Sequence, residues 1–442
     1  MDKDDVGLEP VVTDQERQMS RQDFAKLMGV GVAGLTVAGA LAPFAGAAGG
    51  KAAAGKTVRI AMQTFEEPGF NAALKLYAKT PGAAKAQLAA ISANNYRTII
   101  PRLLAAGTAP DVLELAPGSG NPISIDTLAK ANFLMDLSKE PWVKKIPKSL
   151  LPVCSVNGKV YLAPVTGGVM VVFYNKSMFA AAGVTPPTTW TEFLAVCAKL
   201  KAAGKIPIWM DASNAYIGGA MPLFLTYPLS ASTDAGAADW PAKHKAGKVS
   251  FSKSGWVTAL QRFMQLYESE YFSPNSTGGA PLSQLANKEA AMYCFVSQGI
   301  PTVKTAWGAA DVGAFILPNA ATASKVIASS GSGYGLAINK KTGNAAGSKG
   351  FLNTVTSPLG QKVYNALLGG VPLLPSRPGA VPQAFAPLVM PVLRAGRVAS
   401  YYDQLWPNAA VQTALITGTQ ALMTGQQSIA DVLGAMDTAY NS

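Results

Sequence analysis

Thr57-Val58-Arg59-Ile60-Ala61-Met62, followed at once by Gln63-Thr64-Phe65-Glu66-Glu67-Pro68-Gly69, is the stretch from which the fold is read. A short run rich in β-branched and apolar residues predicts a buried strand. The polar patch behind it is where the chain must turn, at the strand's carboxyl end. In open α/β sheets, ligands gather outside those ends. The same grammar repeats downstream. Ala109-Pro110-Asp111-Val112-Leu113-Glu114-Leu115 predicts a second strand, because Pro110 holds Ala109 extended, and it ends in the loop Ala116-Pro117-Gly118-Ser119-Gly120. The helix-spaced segment before it closes at Gly107. Gly158 to Pro164 predicts a short hairpin arm, and Gly167 to Lys176 a long buried strand. Strand-like runs alternating with Ala- and Leu-rich helical segments predict an α/β fold of parallel sheets covered by helices.

The N-terminus reads differently. Ser20-Arg21-Gln22-Asp23-Phe24-Ala25-Lys26 precedes an uncharged small-residue run from Leu27 to Ala48, with a small-x-small exit at Ala45-Gly46-Ala47. This is the layout of an export signal, so residues 1–50 are expected to be leader and the remainder periplasmic or otherwise extracytoplasmic. A retained anchor is the alternative, since the run is long enough to cross a bilayer. The Ser-Arg-x-x-Phe-x-Lys string resembles the twin-arginine export consensus, with Gln22 where the second arginine would stand. About 390 remaining residues exceed what one core usually holds, which predicts two domains. No low-complexity linker separates them, so several chain crossings are expected, at Ala163-Pro164 to Gly168, Phe315 to Pro318 and Gly370-Val371-Pro372. That gives one lobe from 51–165 plus 316–370 and a second from 166–315 plus 371–442.

The formal charge is +12, from 37 Lys+Arg against 25 Asp+Glu. Without residues 1–50, which hold four basic and seven acidic residues, it rises to +15. The basic residues are scattered, with no run longer than Lys-Lys and no nucleic-acid reader motif, so nucleic acid is not expected as a partner. Cys154, Cys197 and Cys294 are odd in number and widely spaced, which excludes a metal ribbon and a dense disulfide framework. No metal or cofactor is expected, none of the cysteines stands at a lipobox position, and a Cys154–Cys197 bridge stays open. The one histidine, His244, lies between Lys243 and Lys245 in a stretch that reads as exposed. There is no Gly-x-Ser-x-Gly, and Gly331-Ser332-Gly333-Tyr334-Gly335 lacks the spacing of a dinucleotide fingerprint. Catalytic residues are therefore not assigned. The rival class is an exported carbohydrate-active enzyme, a glycoside hydrolase or lyase, which needs a carboxylate pair that no motif here singles out.

A set of blocks carries a resemblance. They are Gly107-Thr108-Ala109-Pro110-Asp111-Val112, Gly158-Lys159-Val160-Tyr161 leading to Phe173-Tyr174-Asn175-Lys176, and Pro186-Pro187-Thr188-Thr189-Trp190-Thr191-Glu192-Phe193. Lys288-Glu289-Ala290-Ala291-Met292, Val312-Gly313 to Leu317-Pro318 and Gly335-Leu336-Ala337-Ile338 follow in order. Together they resemble the family-1 extracellular solute-binding proteins, the group of maltose- and oligosaccharide-binding receptors. The resemblance implies a two-lobed periplasmic-binding-protein fold of type II with multiple hinge crossovers. It also implies a mono- or oligosaccharide bound between lobes, hinge closure, a monomer, and an ABC permease as partner. The family's binding positions fall on Gln63 to Glu66, Ala116 to Ser119, Asp211 to Asn214, Ser297-Gln298 and Tyr402 to Trp406. At Cys294 to Gln298 the chain departs from relatives that carry Gly and Trp.

Sugar recognition needs flat aromatics against C–H faces and planar polar groups for hydroxyls. The expected contacts are Gln63, Phe65, Glu66, Ser119, Asp211, Asn214, Ser297, Gln298, Tyr334, Tyr402 and Trp406. Asp211 is the leading hydrogen-bond acceptor, with a helix N-cap as its plainer role. Trp406 is the leading stacking face, with core packing as its alternative. Trp190 reads as packing, and Thr189 with Glu192 three residues on reads as a capping box.

Overall fold

The computed structural model describes residues 57–148, 150–214, 240–376, 381–399 and 401–442; the leader read at residues 1–50 lies outside them. The opening stretch forms strand β1 (Thr57–Gln63), buried on both faces. Alternation assigns its side chains to two cores. Val58, Ile60 and Met62 meet Phe70, Tyr77, Phe351 and Tyr364 on one side, while Ala61 meets Tyr96, Ile100 and Leu104 on the other. The next strands are β2 (Lys85–Ile91) and β3 (Val112–Leu115). Between them the helix Ala93–Ala106 ends on Gly107, whose φ of 72° lets its N–H reach back to Leu103 and Leu104. The hairpin arm appears as β4 (Ser155–Val156) paired with β5 (Lys159–Val160) and followed by β6 (Ala163–Pro164).

The second sheet begins with the long strand β7 (Gly167–Asn175). It continues with β8 (Ile206–Trp209), β9 (Ala290–Val296), β10 (Val312–Phe315) and β11 (Ala328–Ser332). Then β12 (Gly335–Ile338) rejoins the first sheet, and β13 (Val398–Ala399) closes the second. The orders are β2-β1-β3-β12-β6 and β13-β11-β7-β9-β8, with β10 also on β7. Purely parallel sheets were the expectation, and both are mixed. β1 runs parallel to β2 and β3, but β12 is antiparallel to β3 and β6, and β7 is antiparallel to β9, β10 and β11. The cause is the route of the chain: a strand entering from the other lobe runs against those that start within the sheet.

Three crossings join the lobes, one of them not where the sequence suggested. The first falls between β6 and β7 and the third at Gly369-Gly370-Val371, where Val371 bridges Gly167. The second was expected at Phe315 to Pro318. After β10 the chain instead stays in the second sheet through β11, whose Ser330–Ser332 pair with Gly167–Val169, and crosses only at Gly333-Tyr334. Residues 316–332 therefore belong with the second sheet.

The C-terminal helices Ala410–Met423 and Ile429–Tyr440 pack with the helix Gly255–Glu268 over the second sheet, around Phe251, Trp256 and Trp406. His244, expected to be exposed, is buried there. Its Nε2 lies 3.1 Å from Asp437 Oδ1, and its ring centroid lies 3.9 Å from that of Tyr440. The apolar positions Trp240, Phe251 and Tyr440, far apart in sequence, make that pocket. Thr189 and Glu192 form the reciprocal capping box of the helix Trp190–Ala202. Trp190 packs as read, with Arg262 4.7 Å over its ring and its indole N–H on Gln265. All three cysteines are buried free thiols; Cys154 sits in the first lobe and Cys197 in the second, so no bridge joins them.

Candidate ligand-binding site

At the carboxyl end of β1 the chain enters a single 3-10 turn, Thr64–Glu66, that aims Phe65 and Glu66 between the lobes. Below this turn Gln63 is fully buried. Its backbone N–H and side-chain amide donate to the two oxygens of Glu114, at 2.6 and 2.9 Å. Glu114 lies on β3, and its own N–H donates to Tyr96 Oη. Burial, together with the neighbouring Glu66, pushes the Glu114 carboxyl well above the usual carboxylate range. Glu66 is 1 % exposed. Tyr364 Oη donates to its Oε2 at 2.5 Å, whereas Oε1 has no partner among the described residues. Desolvation raises Glu66 to about 7, and the Tyr364 bond pulls the other way.

The cleft above these groups encloses about 850 Å³, within the range of small-molecule sites. On the first lobe's side it is lined by Phe65, Glu66, Ala93, Arg97, Ala116 and Asn121. Arg97 donates to Ala93 O at 2.9 Å and to Tyr334 Oη at 2.6 Å. Tyr334 stands on the second crossing, so this bond ties the helix after β2 to the hinge. The opposite side is formed by Met170 of β7, Phe295 and Val296 at the end of β9, Gln298, and the segment Tyr401, Asp403, Gln404. Phe65 meets Phe295 and Tyr334 edge-on, with centroids 6.4 and 6.2 Å apart. Asp403 Oδ2 accepts from Gln412 at 3.2 Å, while Asp403 Oδ1 and Tyr401 Oη lack partners. Burial raises the Asp403 carboxyl to about 6.

Of the expected contacts, Phe65, Glu66, Gln298 and Tyr334 line this cleft. Gln63 and Ser297 sit directly behind it. Ser297 Oγ accepts from Val169 N–H and donates to Gln298 Oε1. Ser119 has another engagement: its N–H and Oγ donate to the carbonyls of Gln404 and Trp406, at 3.3 and 2.5 Å, so it holds one lobe against the other. Trp406 offers no stacking face. Its indole is 1 % exposed and packed against Phe251 and Trp256, because the 3-10 turn Tyr402–Leu405 rotates it inward. Tyr402 likewise packs on Trp256. Asp211 does not line the cleft; its Oδ1 accepts from Ser213 and from Gly279 N–H, binding two loops together. Asn214 ends the 3-10 turn Ala212–Asn214.

Sequence reading missed Arg97, Asn121, Met170, Phe295, Tyr401, Asp403 and Gln404. The strand-end rule, applied to β2 as it was to β1 and β3, leads to Ala93–Arg97. Tyr401 and Asp403 were within the quoted C-terminal stretch but out of phase with the residues chosen.

Comparison with known proteins agrees with this geometry. Residues 55–362 match the family model described as bacterial extracellular solute-binding protein. The multiple sugar-binding protein of Streptococcus mutans is 22% identical over 272 residues, 60% of this chain, and the match spans 63% of that relative's length. Among solved structures, a chitin oligosaccharide binding protein superposes with a TM-score of 0.71 at 22% identity, over 87% of this chain and 98% of the other. SBP RafE in complex with raffinose superposes with a TM-score of 0.70 at 18% identity, over 88% and 99%. At such identities the structural likeness speaks for the fold alone, a two-lobed α/β architecture. The family match covers well over half of the sequence, and the chain belongs to the bacterial extracellular solute-binding protein family.

Proposed function

We propose that this chain is the extracytoplasmic receptor of an ABC importer, a monomer that captures a mono- or oligosaccharide between its lobes and releases it unconverted to a permease. The observation that carries this reading is the cleft itself. It sits where two sheets meet across three crossings, and it combines edge-on aromatics with buried carboxyl and hydroxyl groups that still want partners. An unpartnered buried polar atom costs about 1–3 kcal/mol. A polyol entering the cleft supplies the missing donors while its C–H faces cover Phe65 and Phe295. Because the contacts come from both lobes, binding and closure are one event. The names of relatives and neighbours point the same way, since they include sugar, chitin-oligosaccharide and raffinose binders. The export signal in residues 1–50 fits a receptor outside the cytoplasmic membrane, with the leader removed near Ala47.

A thermal-shift screen of the exported protein against mono-, di- and trisaccharides tests the reading. A ligand at 100 times its dissociation constant stabilises the native state by about 2.7 kcal/mol. Chromatography of the same mixtures should recover each sugar unchanged. Time-dependent product would instead favour a hydrolase or lyase built on the cleft carboxyls. Mass spectrometry of the envelope fraction should find no intact Leu27–Ala48 segment.

A further inference from the structure

We propose that the cleft selects a sugar carrying a protonated amino group over neutral and acidic sugars; this rests on the receptor reading above and names its ligand class. Charge balance within the cleft carries the argument. Glu66 on one wall and Asp403 on the other each turn an unpartnered carboxyl oxygen into the same cavity. A third carboxyl, Glu114, lies behind Glu66 with both oxygens already held by Gln63. Arg97 is the one cationic side chain lining the cleft, and it faces Tyr334 and the Ala93 carbonyl. Fully ionised, the site carries more negative than positive charge, although the chain as a whole is +12. The excess is therefore local to the cleft.

An ammonium group has three N–H donors and no acceptor, and charge-assisted bonds to carboxylates are about twice as strong as neutral ones. It answers both orphan oxygens at once, whereas a hydroxyl donates once and keeps its own lone pairs. A uronate adds like charge and no donor where donors are wanted. The edges and faces of Phe65 and Phe295 border the same space and favour a cation near a ring face.

The groups facing Glu66 are Tyr364 from the helix Pro358–Leu368, Glu114 from β3, and Tyr96 and Arg97 from the helix Ala93–Ala106. Tyr334 faces it from the hinge and Asp403 from across the cleft. Arg97 is the only cation among them. Desolvation therefore leaves both cleft carboxyls easily protonated, Glu66 near 7 and Asp403 near 6. An amine must compete with that proton, so its affinity should fall as the pH drops below neutral. A neutral sugar meets no such competition.

Calorimetry on the exported protein decides the matter. The probes are glucosamine and its β-1,4-linked dimer and trimer, their N-acetylated counterparts, glucose and cellobiose, and glucuronic and galacturonic acid. At pH 7 the best amine should bind at least about tenfold tighter than its N-acetylated or hydroxyl counterpart, with no measurable binding of the uronic acids. Between pH 7 and pH 5.5 the amine should lose about tenfold and the neutral sugars should not. Glu66→Gln and Asp403→Asn, each checked for an unchanged fold by circular dichroism, should abolish the preference while leaving residual neutral-sugar binding. Neutral or acidic sugars binding as tightly as amines overturns the amine inference and leaves the receptor reading standing. If no sugar of any class binds, both fall.

Discussion

Gly120→Ala should prise the lobes apart without touching the ligand. A Cβ built on Gly120 lies 1.8 Å from the carbonyl oxygen of Asp403, on the other lobe. Non-bonded contacts begin beyond roughly 3 Å, so the facing backbones must withdraw by roughly 1 Å. Gly118 is packed as tightly, 2.0 Å from Gln404 O, but its φ of 69° would add backbone strain, which makes Gly120 the cleaner site. Withdrawal stretches the two cross-lobe bonds of Ser119, to Gln404 and Trp406. At about 0.5–1.5 kcal/mol for each neutral bond, the closed form loses about 1–3 kcal/mol. That is roughly 5- to 150-fold in the closure equilibrium. Where closure is needed for tight binding, apparent affinity falls with the closed fraction. Small-angle scattering should show a larger radius of gyration for the ligand-free variant, calorimetry a weaker dissociation constant, and Ser119→Ala a smaller change in the same direction. The melting temperature should move little, because each lobe keeps its own cores. Wild-type affinity and compaction in Gly120→Ala would refute the clasp. A large drop in melting temperature with unchanged affinity would make the loop ordinary packing.

Trp406→Ala should destabilise the ligand-free protein by about 3–5 kcal/mol in chemical denaturation, as for other buried Trp truncations, and so melt early; a variant that melts normally but binds poorly would return Trp406 to the cleft. Glu66 and Asp403 have raised pKa values, so the native state holds protons that the unfolded chain has released. Ligand-free stability should accordingly fall as pH climbs from about 4 to about 7 and level off above, with a weaker slope in Glu66→Gln. The lowered carboxyls Asp136, Asp431 and Asp437 act in the opposite sense below that window, their stabilisation being lost as pH falls through their folded values. Thiol titration should count no reactive cysteine in the native protein and three after denaturation, and reductant should leave the melting temperature unchanged.

The lobes were legible because burial writes itself into composition. Thr57–Met62 and Gly167–Asn175 are near-continuous apolar runs, and helices with Thr189–Glu192 or Gly107 at their ends announce their limits. The second crossing was not legible. Phe315 to Pro318 has the Pro that a turn wants, but strand membership is decided by pairing partners far away, here Gly167–Val169. The site divides along the same line. Strand-end reasoning finds a loop, and at Phe65-Glu66 the strand's own direction also fixes which side chains face out. In Tyr401–Trp406 a 3-10 turn intervenes, and its period sends Tyr401 and Asp403 to the cleft while Tyr402 and Trp406 enter the core. A tryptophan among polar residues suggests a sugar platform by residue type alone, but its burial depends on Phe251 and Trp256, some 150 residues earlier. Ser119 shows the complementary limit. Flanked by two glycines after a strand it reads as a ligand loop, yet the glycines are small because another backbone, rather than a ligand, comes within their Cβ radius. Where two lobes meet backbone to backbone there is no room for recognition chemistry. The groups that read the ligand must then stand on either side of that clasp, as Asn121 and Asp403 do.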